Sequence, residues 1–321
     1  MKYRCKYLKP HLLILSVVFI SIFLIFFSFS ILKSDASSTT FYVDDDFDAT
    51  TPGWQYDHFD KIQDAINAAS NGDIIYIYNG IYREHIFVVK NITIEGESKE
   101  KVILDCSGEG HGITIESSGV SISQLTIKNT AQGYYGIKLD GINSCNIRNC
   151  NLSGNYGGIF LYSSSNVLLS RNTFSFDNYG ILFIGSSHNT IRENFFINNS
   201  NGVYLGTDTS YNIFSYNSFI NNSLDAYDES VLNFWDYSNA GNYWDKYGGE
   251  DNDGDGIGDT PYPIDPISLG NFDHYPLMQP YAGYDIFPPD IMNLQANPQI
   301  QIPNGSVNTV SYTHLTLPTK A

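Results

Sequence analysis

Four aspartates within nine residues form the pattern with the clearest chemistry. Asp251, Asp253 and Asp255 occupy alternate positions 1, 3 and 5 of a loop, Gly256 follows at 6, Ile257 offers its backbone carbonyl at 7, and Asp259 stands at 9. Hard oxygen ligands at alternate positions, turned by glycine, suit Ca²⁺. The bidentate Glu of a helix-flanked calcium loop is missing, since Tyr262 sits at position 12, and no helical pattern flanks the segment. The expectation is calcium bound with extracellular-range affinity, on the order of 10⁻⁴–10⁻³ M. Asp245 and Glu250 are the acids placed to complete the shell. The alternative is a solvated acidic turn.

Other chemistries find less support. Copper requires clustered His, Met or Cys, but His58, His85, His111, His188 and His274 show no ligand spacing, and only Met278 and Met292 follow the initiator. A glycosidase needs two or three carboxylates at one spot, and a lyase a basic group able to take a proton beside acids. Between residues 112 and 222 the acids are Glu116, Asp140, Asp177, Glu193 and Asp208, at differing repeat positions that do not stack. Asp225, Asp228, Glu229 and Asp236 lie near the end of the coils, where they could pair with the Asp-rich loop, and nothing marks a base. The reading is a non-catalytic module, with a polysaccharide lyase or hydrolase as the alternative.

A third pattern suits binding. Phe160, Leu182 and Tyr204 share one repeat position, two residues after a glycine, with Tyr156, Tyr162 and Tyr179 nearby. Exposed rings in a column stack on sugars. Phe160, Tyr162 and Tyr204 are therefore candidate glycan contacts, unless the C-terminal segment covers them.

These residues are positioned by a repeat. Gly136, Gly158, Gly180 and Gly202 are spaced 22 residues apart, and each opens the phrase Gly-Ile/Val-x-Leu/Phe. A second phrase, apolar-x-x-Asn-x-aromatic, recurs as Leu169…Asn172…Phe174, Ile191…Asn194…Phe196 and Phe214…Asn217…Phe219, with Cys150 at the Asn position of the first copy. Fixed periods of this length indicate a solenoid. The apolar alternation within each copy has period 2 over three to five residues, so the elements are short strands, and 22 residues leave no room for a helix. The expected fold is all-β, a parallel β-helix rising about 4.8 Å per coil. Ile137, Ile159, Ile181 and Val203 form one inward column, Leu139, Leu161, Phe183 and Leu205 a second, and Leu152, Phe174, Phe196 and Phe219 a third. Cys150, Asn172, Asn194 and Asn217 should form a structural ladder whose amides satisfy turn backbone.

Upstream, residues 60–70 read as an amphipathic helix with Ile62, Ala65, Ile66 and Ala69 on one face, a cap for the first coil. The run Ile62-Gln-Asp-Ala-Ile66, Asn71-Gly-Asp-Ile-Ile75 and Gly80-Ile-Tyr-Arg-Glu84 resembles the opening of pectin-lyase-like right-handed β-helices. The Asn-rich coils, together with Gly241-Asn-Tyr-Trp-Asp245, the Asp-rich loop and Asp273-His-Tyr-Pro-Leu277, resemble NosD-like β-helix proteins, especially archaeal surface forms. The resemblance spans residues 41–281. It implies a right-handed single-stranded β-helix, and it brings a second alternative, an accessory role in copper handling.

Charge and chain ends complete the reading. Seventeen Lys and Arg face 34 acids, for a net charge of −17, which excludes nucleic acid as a partner because phosphate binding needs a basic face. Lys2, Arg4, Lys6 and Lys9 precede an uncharged stretch of 21 residues, 12–32. That stretch is long enough to cross a bilayer with the remainder outside, and Ser34-Asp-Ala36 also offers a cleavage site. Residues 1–36 are thus a signal peptide or membrane anchor, 41–232 the β-helix and 233–282 a segment carrying the Asp-rich loop. Residues 287–309 resemble the start of a truncated Ig-like module, and 310–321 the translation of a sequencing adapter. Three external cysteines leave one unpaired; Cys106–Cys145 is the one pair considered. Sequons stand at Asn91, Asn151, Asn198, Asn221 and Asn304. The expected protein is an extracellular or cell-surface module whose partners are carbohydrates or envelope components.

Overall fold

The computed structural model describes residues 38–230 and 232–281. The expected signal or anchor, the Ig-like start and the adapter-derived tail lie outside these described residues. Three parallel sheets of nine, eight and seven strands run side by side along one axis. One coil contributes one strand to each sheet, as with Asn143–Arg148, Asn151–Ser153 and Gly157–Tyr162. The fold is the parallel β-helix that the period requires, wound in the right-handed sense of parallel β-connections.

Register follows the repeat. Ile137 pairs with Ile159, Ile159 with Ile181 and Ile181 with Val203, so identical positions stack and every inward residue is buried. The third inward column becomes a continuous ring stack. Phe174, Phe196, Phe219, Trp244 and Tyr262 follow one another at 5.0, 4.8, 4.3 and 4.5 Å, with interplanar angles of 13° or less. Offset pairs of this kind contribute about 0.5–1.5 kcal/mol each beyond burial. Trp235 stacks on Phe214 at 4.3 Å. Both tryptophans come from residues after 232, so the C-terminal segment closes the open end of the barrel with its largest side chains.

The first coil is closed by the helix Ile62–Ala68, which buries Ile62, Ala65 and Ile66. It has no cap from its own sequence. Glu84 instead accepts the Ile62 and Gln63 N–H groups at 2.9 and 3.0 Å, and Lys90 Nζ donates to the carbonyls of Ile66, Asn67 and Ala69 at 2.6–3.0 Å. An acid at the helix N-terminus and a cation at its C-terminus complement the dipole.

The ladder at the first corner runs as one chain of amides. The backbone N–H of Cys150 donates to Asn172 Oδ1, that of Asn172 to Asn194, that of Asn194 to Asn217 and that of Asn217 to Asn242, all at 2.9–3.1 Å. Each Asn Nδ2 also reaches back to a carbonyl of the preceding coil. Two more ladders occupy other corners. One is Asn155, Asp177, Asn199 and Asn222; the other is Asn189, Asn212 and Asn233. All three end on a buried aspartate: Asp273, Asp225 and Asp228. The last rung needs only an acceptor, and a carboxylate supplies that. Asp225 and Asp228 are therefore committed to ladder ends and do not join the Asp-rich loop.

Cys106, Cys145 and Cys150 are buried and free, so the Cys106–Cys145 disulfide does not form. Cys145 lies inside a strand of the nine-stranded sheet, whereas Cys106 follows a strand of the eight-stranded one.

Candidate functional site

The outer face of the seven-stranded sheet carries a line of rings. Outward positions alternate with the buried columns. Lys138 pairs with Phe160, Phe160 with Leu182, Leu182 with Tyr204 and Tyr204 with Tyr227, one residue per coil along the axis. Neighbouring tyrosines fill the gaps. From Tyr162 the rings run through Phe160, Tyr135, Tyr156, Tyr179 and Tyr204 to Tyr227, each within 4.6–6.1 Å of the next. His111 stacks on Tyr135 at 5.7 Å and extends the line by one coil. Gly157 makes room for it, since a Cβ there would meet the Tyr135 ring at 2.5 Å.

The stripe is open to solvent. Tyr162 is 44% exposed, and Phe160, Tyr204 and Tyr227 are half-buried. Among the described residues the C-terminal segment packs on the end of the barrel through Trp235 and Trp244 and meets this sheet at its last strand, where Asp265 bridges Tyr227. The candidate contacts Phe160, Tyr162 and Tyr204 thus share one surface, joined by Tyr135, Tyr156, Tyr179 and Tyr227. Tyr135 and Tyr227 were hidden in the sequence because their coils lack the aromatic at the Phe160 position or lie past the last repeated glycine.

Charged groups on this face are few and paired. Lys138 Nζ lies 3.1 Å from Asp140, and Tyr204 Oη donates to Glu229 at 2.9 Å. Burial and Glu229 together push the Tyr204 phenol up to about 12. Asp140 and Glu229 are separated by four coil steps, about 19 Å at the inter-strand spacing. That is roughly twice the widest separation of a glycosidase carboxyl pair.

The Asp-rich loop lies at the far end of the molecule. Carboxylate oxygens of Asp251, Asp253 and Asp255 come within 4.8 Å of one another. Asp251 also organises the turn, accepting the Gly254 N–H at 2.7 Å and the Gly256 N–H at 3.0 Å. Ile257 donates its N–H to Asp255 and bridges Leu277. Asp259 stands apart from the trio, bound by the Asn252 backbone N–H and Nδ2 at 2.9 and 2.6 Å. These donors hold its carboxyl below the usual range. A second acidic trio, Asp44, Asp45 and Asp46, lies near the N-terminal cap.

A cavity of about 250 Å³ opens where the C-terminal segment meets the last coil, lined by Asp225, Lys246, Tyr262 and Asp265 among others. Lys246 Nζ sits 3.0 Å from Asp225 and donates to the Asn222 carbonyl at 2.7 Å. Its protons pin the segment to the coil.

Soft and imidazole donors do not converge among the described residues. The thiols of Cys106, Cys145 and Cys150 are buried, and burial pushes each of the three up to about 12. His85 bonds the His111 carbonyl, His111 Nδ1 accepts the Tyr135 N–H, His188 stacks on Tyr211, and His274 pairs with Asp236. No helix among the described residues is long and apolar enough to cross a membrane.

A family model described as periplasmic copper-binding protein (NosD) matches residues 61–249, more than half of the chain. No curated protein matches it. Among solved structures, an alginate lyase from Paenibacillus sp. str. FPU-7 is 15% identical, with a TM-score of 0.44 over 58% of this chain and 74% of that one. Pectin methylesterase PemA from Erwinia chrysanthemi is 13% identical, with a TM-score of 0.36 over 67% and 92%. The carrot pectin methylesterase is 14% identical, with a TM-score of 0.39 over 66% and 72%.

Proposed function

This chain belongs to the NosD family, and we propose that within it the chain is an exported, non-catalytic surface module that contacts glycans through the aromatic face of its seven-stranded sheet. The observation that carries this reading is the unbroken line of rings from Tyr162 to Tyr227, which runs parallel to the axis and is open to solvent. Sugar rings present apolar faces that stack on such surfaces. A linear polymer lying along the axis would meet one ring or more per coil. Export is supported by the basic and apolar pattern of residues 2–36 and by the periplasmic description of the family.

The family description names copper, but the described donor set does not fit it: the thiols are buried apart and the imidazoles are spread over separate partners. No role is assigned through that metal. Calcium at Asp251, Asp253 and Asp255 is the ion this reading includes, held by the clustered carboxylates, with the Ile257 carbonyl and further oxygens completing the shell. A glycan array probed with the secreted protein, run beside a polymer-cleavage assay with and without Ca²⁺, tests the reading. Array binding without chain shortening is the expected result; unsaturated or reducing ends appearing at catalytic rates would overturn it.

A further inference from the structure

The second ladder contains one member of the wrong chemistry. Asn155, Asn199 and Asn222 each donate Nδ2 to a backbone carbonyl of the preceding coil: Ile127 at 3.1 Å, Phe174 at 3.0 Å and Phe196 at 2.9 Å. Those carbonyls belong to residues in strict register, in the order Ile127, Leu152, Phe174 and Phe196. The rung that should serve Leu152 is Asp177. Its Oδ1 accepts the Asn155 N–H at 2.7 Å, and its own N–H donates to Asn199 Oδ1 at 3.0 Å, as an asparagine at that rung would do. Its Oδ2 occupies the Nδ2 position, is fully buried and has no hydrogen-bond partner as an acceptor. An ionised Oδ2 would set acceptor against acceptor at the Leu152 carbonyl, in a fully buried site.

We propose that Asp177 stands in the ladder as a neutral carboxylic acid whose Oδ2–H donates to the Leu152 carbonyl, making this corner of the β-helix a proton-dependent link. Every group facing it is neutral. The rungs above and below are the amides of Asn155 and Asn199, and the wall is Gly158 and the Phe174 ring. The nearest titratable side chains in sequence, Tyr156 and Tyr179, belong to the outer stripe. Burial accordingly raises the Asp177 carboxyl well above its ordinary range. The sign follows. A carboxyl whose folded pKa exceeds its unfolded value contributes its full stability in acid and loses it as pH rises. The chain is thereby suited to acidic surroundings, and alkali loosens the coils that carry Phe160 and Tyr179.

Asp177→Asn replaces the proton with a permanent N–H donor of the same shape. Thermal melts of wild type and variant, at fixed calcium from pH 4 to pH 8.5, should coincide at the acid end. They should then diverge until the variant melts higher by about 3 °C or more at pH 8. Asp225, Asp228 and Asp273 are common to both proteins and cancel in the difference. A constant offset at every pH, or a wild type more stable at pH 8, would overturn the proposal. Infrared difference spectra at pH 8 give a second reading that needs no unfolding. The wild type should show the deuterium-sensitive carbonyl band of a protonated carboxyl group that Asp177→Asn lacks, and identical spectra would overturn it equally.

Discussion

Asn194→Leu isolates what one rung of the first ladder contributes. Asn194 Oδ1 accepts the Asn172 N–H and Nδ2, and its own Nδ2 donates to the Leu169 carbonyl and to Asn217 Oδ1. After substitution Asn172 Nδ2 keeps the Ile147 carbonyl, and Asn217 Oδ1 keeps the Asn194 backbone N–H. The Asn172 N–H and the Leu169 carbonyl lose these partners. Each stranded buried group costs about 1–3 kcal/mol, and burying the leucine returns about 1.5–3 kcal/mol. The net loss should be about 1–3 kcal/mol, seen as a fall of about 1 M in the urea midpoint. Asn201→Leu is the control, because Asn201 is half-exposed and makes one side-chain bond, to the Asn178 carbonyl; it should shift stability by no more than about 0.5 kcal/mol. Equal midpoints for the two variants would refute the claim that the ladder carries stability.

Glu84→Ala should cost about 0.5–2 kcal/mol by uncapping the helix Ile62–Ala68, and hydrogen exchange should show its amides losing protection before those of the coils. Asp273 accepts the Asn242 and Trp244 N–H groups at the end of the first ladder, yet burial pushes its carboxyl up to about 6. Its contribution is therefore full below its ordinary value of 3.8 and lost as pH rises through 6, a fall of about 3 kcal/mol that urea titration in the Asp177→Asn background should register. Calcium at a hundredfold excess over its dissociation constant should stabilise the folded chain by about 2.7 kcal/mol, and Asp253→Ala should abolish the effect; equal calorimetric heats for the two proteins would remove calcium from the account.

The coils were legible because their residues recur at a fixed interval. Asn172, Asn194 and Asn217 sit in matching phrases, and their stacking follows from register alone. The other ladders carried the same signal in weaker form. Asn155, Asn199 and Asn222 share their interval with Asp177, which reads as a scattered acid, and the interval lengthens from 22 to 23 residues between Asn199 and Asn222. The terminating aspartates and capping tryptophans were not legible, because each enters from outside the period to meet a surface that only stacking creates. Corner residues hid for a different reason. Arg171, Glu193 and Tyr216 hold left-handed backbone with φ of 57–59°, and no glycine marks them. At the candidate sites, the three clustered aspartates and the outward rings followed from spacing, whereas the capture of Asp259 by Asn252 depends on how the loop closes.

On the proposed function, the ring stripe binds a linear glycan without cleaving it. The most direct measurement is a calorimetric titration of the whole chain with the strongest polymer from the array, for wild type and for the double variant Tyr162→Ser, Tyr204→Ser, with polymer length determined before and after. Binding along the stripe requires at least a tenfold loss of affinity, about 1.4 kcal/mol, in a variant whose melt stays close to wild type, and unchanged polymer length in both samples. Equal affinities, or a polymer shortened by the wild type, would contradict it.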